Sequence, residues 1–128
     1  MMRVEHVGVW AADLERLREF YAAYLGATAG ARYANPAKEF ESYFLTLPGG
    51  GARLELMRVP GLAGAAGGRR VGLAHVAIAL GSEAAVDALT DRLRADGFEV
   101  VDGPRRTGDG YYESVVLDPE GNRLELTV

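Results

Sequence analysis

The sequence predicts an α+β fold built from two copies of a βαβββ module, and three observations support this prediction. The tetrapeptide Arg-Leu-Glu-Leu occurs at positions 53–56 and again at 123–126. Each copy begins with a histidine, His6 or His75, in a short stretch of alternating residues. The two histidines are 69 positions apart and the two glutamates of the tetrapeptide are 70 positions apart. Duplication of one module accounts for this common spacing.

Each predicted helix has a capping residue at its start and a glycine at its end. The first helix is expected to begin at Asp13 and to end at Gly26, and the second to begin at Ser82 and to end at Gly97. Apolar residues recur at helical spacing between these limits. One strand precedes each helix and three follow it, so the modules together form a curved, mostly antiparallel eight-stranded sheet.

The whole chain, residues 1–128, is predicted to be a single domain. It consists of module 1–59 and module 73–128, joined by a linker at 60–72 that is rich in small residues. The strand before the closing turn also reads alike in the two modules, with Glu-Ser at 41–42 and at 113–114.

The composition excludes several classes of protein. With 48% hydrophobic and 25% charged residues the chain is typical of a globular domain. It has no cysteine, so disulfides and cysteine metal ligands are excluded. A net charge of −4 argues against a nucleic-acid partner. We expect no membrane span and a cytoplasmic location, since neither a membrane-length apolar run nor a signal core is present.

The alternation of residues along the strands predicts which side chains share a face. His6 and His75 point away from the aliphatic residues of their strands, and Glu55 and Glu125 point away from the leucines of theirs. The aliphatic faces are expected to pack under the helices, and the other faces to line a shared concave surface. Gly or Ala beside each histidine leaves room there for a ligand.

Two imidazoles and two carboxylates suit a divalent transition metal. Taken singly, a strand histidine is more often structural and a strand glutamate is more often solvated. The duplicated spacing and matching parity favour a metal centre instead. Arg53 and Arg123, two positions before each glutamate, either orient the carboxylates or serve as surface ion pairs or packing side chains. The predicted ligands of one divalent ion (Ni, Zn, Co, Mn or Fe) are His6, Glu55, His75 and Glu125.

These residues resemble the vicinal oxygen chelate superfamily, which is also called the glyoxalase, bleomycin-resistance and extradiol-dioxygenase superfamily. The resemblance covers the whole chain and includes the opening-strand histidines, the Asp-Pro-Glu-Gly-Asn turn at 118–122 and the repeated closing strand. The ligand order is similar to that of bacterial lactoylglutathione lyase, glyoxalase I. The resemblance implies a lyase or isomerase that acts through a metal-stabilised enediolate on a small α-oxygenated or thiol-conjugated substrate. It makes Glu125 the first candidate for the base and Glu55 the second.

The chain departs from the glyoxalase I pattern at two positions. Trp10 stands where that family carries an arginine that grips the glutathione carboxylate, and Arg58 is the polar residue near a missing asparagine. The identity of the thiol is therefore open. The candidate substrate contacts are Trp10, Tyr43, Arg58 and Tyr112.

Two alternative functions are weighed against a glyoxalase. One is another metal-dependent member of the superfamily, either a thiol transferase or a dioxygenase. The other is a non-catalytic protein that sequesters a small molecule such as an antibiotic. The resemblance also implies a homodimer with a small-molecule substrate, and it leaves open whether the metal site lies within one chain or is shared by two.

Overall fold

The computed structural model describes residues 1–65 and 68–128. The chain divides into two compact units, Met1–Ala65 and Ala66–Val128. The boundary falls within the predicted linker 60–72, of which positions 66 and 67 lie outside the described residues.

The first unit is a mixed sheet with one α-helix on it. Over residues 1–65 its elements are β1 (His6–Trp10), α1 (Leu14–Leu25), β2 (Thr28–Ala29), β3 (Tyr33–Asn35), a 3-10 helix (Pro36–Lys38), β4 (Phe40–Thr46) and β5 (Arg53–Arg58). The strand order is β1-β5-β4-β2, and β3 also pairs with β4. Only the β1–β5 pair is parallel among these pairings.

The second unit repeats this plan with fewer strands. Over residues 68–128 its elements are β6 (Val76–Ala79), α2 (Glu83–Ala95), β7 (Val100–Arg106), β8 (Tyr112–Leu117) and β9 (Arg123–Thr127). The strand order is β6-β9-β8-β7. Strands β6 and β9 are parallel, and the remaining pairs are antiparallel.

The α+β class and the mostly antiparallel pairing are confirmed, whereas the expected count of eight strands in one sheet is not. The described residues form sheets of five and four strands, one in each unit. The extra strand arises because the chain after α1 pairs with β4 twice, first through the two-residue β2 and then through the three-residue β3.

Both helices begin where the sequence predicts and α1 ends at the predicted Gly26, whereas α2 ends at Ala95 with Asp96 as its C-cap, just before the predicted Gly97. The Asp13 side chain accepts a hydrogen bond of 3.0 Å from the Arg16 amide, and Ser82 accepts one of 3.1 Å from the Ala85 amide. Gly26 ends α1 in the left-handed region at φ 64°, where glycine carries no steric penalty. No helix among the described residues is long and apolar enough to cross a membrane.

The aliphatic face of each sheet packs under its helix, which leaves the opposite face for polar residues. The leucines of β5 and β9 are buried, as are the apolar residues that α1 and α2 turn toward them. Burial of such side chains supplies about 1.5–3 kcal/mol each. These core residues are Leu54, Leu56, Leu124 and Leu126 on the strands, and Leu17, Tyr21, Val86 and Leu93 on the helices.

An irregular stretch of β7 sets the register beside β8. The pairing shifts on both sides of Asp102 before Arg105 pairs with Glu113. Gly103 has φ 80°, and an added Cβ would lie 2.7 Å from the Glu113 carbonyl oxygen. The close approach therefore requires glycine, and it brings Arg105 across from Glu113.

Candidate metal centre

The first unit brings together one of the two predicted ligand pairs. His6 lies on β1 and Glu55 on the neighbouring β5, where Gly8 is the register partner of Glu55. The Nε2 atom of His6 is 3.6 Å from Oε1 of Glu55. The parallel pairing of β1 with β5 therefore places an imidazole and a carboxylate side by side, as the parity of the strands predicts.

The imidazole of His6 has further neighbours within this unit. Its Nδ1 atom is 2.5 Å from Oε2 of Glu5, and its ring meets the ring of Phe44 edge-on at 5.3 Å between centroids. Arg53 donates from Nε to Glu5 over 2.9 Å and lies 4.3 Å above the Phe44 ring. The hydrogen bonds from His6 and Arg53 hold the pKa of the Glu5 carboxyl below its ordinary value.

The second unit forms the other predicted pair in the same way. His75 directly precedes β6, and Glu125 lies on the parallel strand β9 beside Ala77. The Nε2 atom of His75 is 3.2 Å from Oε1 of Glu125. The two units thus repeat one local geometry as well as one sequence pattern.

A second carboxylate lies beside Glu125 and distinguishes the second unit from the first. Glu113 on β8 is two positions from Val115, the register partner of Glu125, so the two carboxyl groups share a face. Partial burial, with the hydrogen bond to Glu125 and the negative charge of Glu125, raises the pKa of the Glu113 carboxyl. Glu113 therefore retains a proton to higher pH than an ordinary glutamate, with its carboxyl group beside that of Glu125.

The donor atoms of each pair fit two ligands of one divalent cation. With bonds of about 2.0–2.2 Å and angles near 90–110°, two such ligands lie roughly 3–3.5 Å apart. The 3.2 Å separation in the second unit lies within this range, and the 3.6 Å separation in the first unit lies slightly beyond it. Both histidine side chains are about 40% exposed, at 41% and 39%, so a cation can reach them. Within either unit, the described residues contain no group of three or more histidine, aspartate and glutamate side chains that could hold a metal.

Of the predicted substrate contacts, Trp10 lies on the face of the sheet that carries the first pair, whereas Arg58 lies on the opposite face of β5, with Leu54 and Leu56. Trp10 follows His6 and Gly8 on the same face of β1 and is 51% exposed. The Nε of Arg58 donates to the Ala12 carbonyl over 3.1 Å, which fixes that guanidinium near the end of β1. The space expected above Gly8 is filled, because an added Cβ there would lie 2.8 Å from the Met57 methyl group.

The other two predicted contacts lie on the helix side of their strands. Tyr43 donates its hydroxyl to Glu15 of α1 over 2.5 Å, and Tyr112 donates to Asp87 of α2 over 2.5 Å. Neither ring shares the face that carries the histidine and glutamate of its unit. Their role in substrate binding stays a prediction. In the structure, each hydroxyl group links its strand to the helix of the same unit through a hydrogen bond.

Replacement of Tyr43 by Phe is expected to destabilise the protein by about 0.5–1 kcal/mol, since an exposed hydrogen bond to a carboxylate is lost. That bond, together with Arg18, lowers the pKa of Glu15. Its contribution is therefore present above the ordinary glutamate pKa and is lost as the pH falls through the lowered one. Urea unfolding at neutral and acidic pH measures this difference. Tyr33→Phe, at a tyrosine that is 53% exposed, is the matched control and should leave the stability unchanged.

Comparison with known proteins decides the family. The family model described as "Glyoxalase/Bleomycin resistance protein/Dioxygenase superfamily" matches residues 3–126. The chain belongs to this superfamily. That range covers both His–Glu pairs, so the ligand-type residues of both units lie within the matched domain.

A curated relative is similar to the chain over nearly its whole length, and solved structures share its fold. The uncharacterized protein YqjT of Bacillus subtilis (strain 168) is 28% identical over 130 residues, covering 96% of either chain. A glyoxylase/bleomycin resistance protein/dioxygenase domain from Frankia sp. EAN1pec superposes with a TM-score of 0.85 at 21% identity, covering 100% of this chain and 98% of that one. The trypanothione-dependent glyoxalase I of Leishmania major gives 0.79 at 22% identity, with 99% and 86% covered. These structures support the fold.

Sequence reasoning missed two neighbours of the ligand pairs, Glu5 and Phe44. Glu5 directly precedes His6, so an adjacent carboxylate was the available signal. Phe44 follows from the register of β4 with β5, where it is the partner of Glu55. Arg53 contacts Glu5 and the Phe44 ring, which corresponds to the surface ion pair that was the alternative to orienting Glu55.

Proposed function

We propose that the protein is a metal-dependent enzyme of glyoxalase type, in which His6, Glu55, His75 and Glu125 hold one divalent cation. The observation that supports this most is the recurrence of one geometry: in both units an imidazole Nε2 lies beside a carboxylate oxygen, at 3.6 Å and 3.2 Å. One pair supplies two ligands, so a four-ligand centre takes one pair from each unit. The two units belong either to one chain or to the two chains of a homodimer.

The tautomer of His6 supports a cation between the members of the first pair. The Glu5 carboxylate can only accept hydrogen bonds, so Nδ1 of His6 is the donor in their contact. In a neutral imidazole this leaves a lone pair on Nε2, which faces the Glu55 carboxylate at 3.6 Å. Two electron-rich groups placed in this way favour a positive charge between them, and a divalent cation supplies it.

The chemistry follows from what this centre can do for a substrate with neighbouring oxygens. When bound, a divalent cation supplies a Lewis acid that polarises those oxygens and lowers the barrier for loss of an adjacent carbon-bound proton. Glu125 would accept that proton as general base, with the Glu113 carboxyl group as its neighbour on the same face. Trp10 offers an exposed apolar surface near His6 against which the substrate can pack.

Metal analysis and a substrate panel test this function. The purified protein, loaded in turn with Ni²⁺, Zn²⁺, Co²⁺, Mn²⁺ and Fe²⁺, is assayed with methylglyoxal hemithioacetals of several thiols. We expect one ion per site and turnover with at least one thiol. A protein that takes up no stoichiometric metal would contradict the proposal and favour sequestration of a small molecule. Oxygen consumption with Fe²⁺ and no turnover of hemithioacetals would favour a dioxygenase.

A further inference from the structure

The two histidines, which the repeat makes equivalent, are not supported equally. In the first unit the Nδ1 of His6 meets Glu5, and Arg53 binds the same carboxylate. In the second unit the residue before His75 is Ala74, which has no side-chain acceptor. Within the described residues of that unit, no side chain contacts the imidazole of His75 in the way that Glu5 contacts Nδ1 of His6. Among the described residues, therefore, the first module places a supporting carboxylate beside its histidine and the second module does not.

We infer that Glu5 is a positioning residue that fixes the tautomer and the ring orientation of His6, so that its Nε2 lone pair is directed toward Glu55 for metal binding. This inference rests on the proposed function. A carboxylate on the far nitrogen of a histidine ligand keeps the proton there and makes the near nitrogen a better donor. Glu5 has the required contact, 2.5 Å from Nδ1, while Nε2 on the other side of the ring is 3.6 Å from Glu55.

Arg53 and Phe44 complete this support. Arg53 donates to Glu5 from Nε and from a second guanidinium nitrogen, so the carboxylate is held by two donors besides the imidazole. The same guanidinium lies 4.3 Å above the Phe44 ring, which in turn meets the His6 ring edge-on. The side chain of Glu5 is 48% exposed, and an exposed ion pair of this kind contributes little to stability. Its effect is therefore expected on His6 and not on folding.

The first test is the tautomer of His6 in the metal-free protein, read from long-range proton–nitrogen NMR of the imidazoles at a pH where they are neutral. We expect the proton on Nδ1 of His6 in the wild type. Glu5→Ala should shift it toward Nε2, and Glu5→Gln, which keeps an acceptor without the charge, should lie between. His75 in the same spectra is the internal reference and should not change. A wild type with the proton on Nε2, or an unchanged tautomer in Glu5→Ala, would overturn the inference.

The second test is the affinity for Zn²⁺ and for Ni²⁺, measured by competition with a chromogenic chelator. Glu5→Ala is expected to weaken binding by roughly 10–100-fold, as for other supporting partners of histidine ligands. Glu19→Ala, which removes a charge that is 70% exposed on α1, is the control and should bind as the wild type does. If the wild type and Glu5→Ala bind the ions equally tightly, the positioning role of Glu5 is rejected and the proposed function is not. A wild type that binds neither ion would reject the proposed function, whatever the tautomer of His6.

Discussion

Glu125→Gln is expected to lower turnover by roughly two to four orders of magnitude, which is the contribution typical of a general base. The amide keeps the shape of the side chain and one oxygen ligand, but it cannot accept the substrate proton. The loss of turnover should therefore greatly exceed the loss of metal. Steady-state kinetics on the metal-loaded variant, with metal content determined on the same sample, measure both quantities.

Glu55→Gln is the matched control, because Glu55 has the equivalent place in the first unit. The repeat alone cannot distinguish the two carboxylates, whereas their surroundings differ: Glu125 has Glu113 as a hydrogen-bonded neighbour, and the register partner of Glu55 on β4 is Phe44. We expect Glu55→Gln to reduce turnover much less. Equal and modest effects of the two substitutions would show that Glu125 is not the base.

His6→Ala and His75→Ala are each expected to weaken metal binding by more than about 100-fold, since loss of a direct ligand should exceed the 10–100-fold cost of losing a supporting partner. Both side chains are about 40% exposed, so the fold should persist in both variants. Chelator competition measures the affinity. Thermal unfolding gives a second readout, because an ion present at 100 times its Kd stabilises the native state by about 2.7 kcal/mol.

The comparison between the two histidine variants tests the four-ligand centre itself. If one ion uses both pairs, each substitution alone must weaken the same single binding event. Lys38→Ala, at an exposed residue of the 3-10 helix, is the control and should bind metal normally. Two independent ions per chain, each lost with only one of the substitutions, would contradict a shared centre.

The fold could be predicted from the sequence because the decisive signals are local and occur twice. Asp13 and Ser82 cap the helices where expected. The alternation in β5 and β9 separates the leucines from Glu55 and Glu125, which is why each histidine and its glutamate share a face. The expected count of eight strands is not confirmed, because β2 and β3 are two and three residues long, too short for alternation to show.

The position of Glu113 beside Glu125 could not be predicted from the sequence alone. Matching Glu-Ser at 41–42 with Glu-Ser at 113–114 makes Glu41 the counterpart of Glu113, but this alignment is wrong by one residue. Phe44 pairs with Glu55 and Val115 pairs with Glu125, so the true counterpart of Glu113 is Ser42. The longer turn between β4 and β5 accounts for one residue of the difference in spacing, and the matched Glu-Ser letters are displaced by one residue more. Only the register shows that the second unit alone carries the extra carboxylate on this face.

Strand alternation predicts which face a side chain lies on, but it does not predict which other side chain it contacts. Tyr43 and Tyr112 carry hydroxyl groups that suit substrate binding, yet both donate to carboxylates on the helices. Gly8 suggested open space, which the flexible side chain of Met57 fills from the neighbouring strand. Such details depend on long side chains that reach across strands.

Crystallography of the metal-loaded protein, with the ion identified by anomalous scattering, tests the central claim most directly. We predict a single ion about 2.0–2.2 Å from Nε2 of His6 and of His75 and from carboxylate oxygens of Glu55 and Glu125, with all four ligands from one chain or two from each chain of a dimer. An ion bound by other residues, or His–Glu pairs that share no ion in a fully loaded crystal, would contradict the proposed centre.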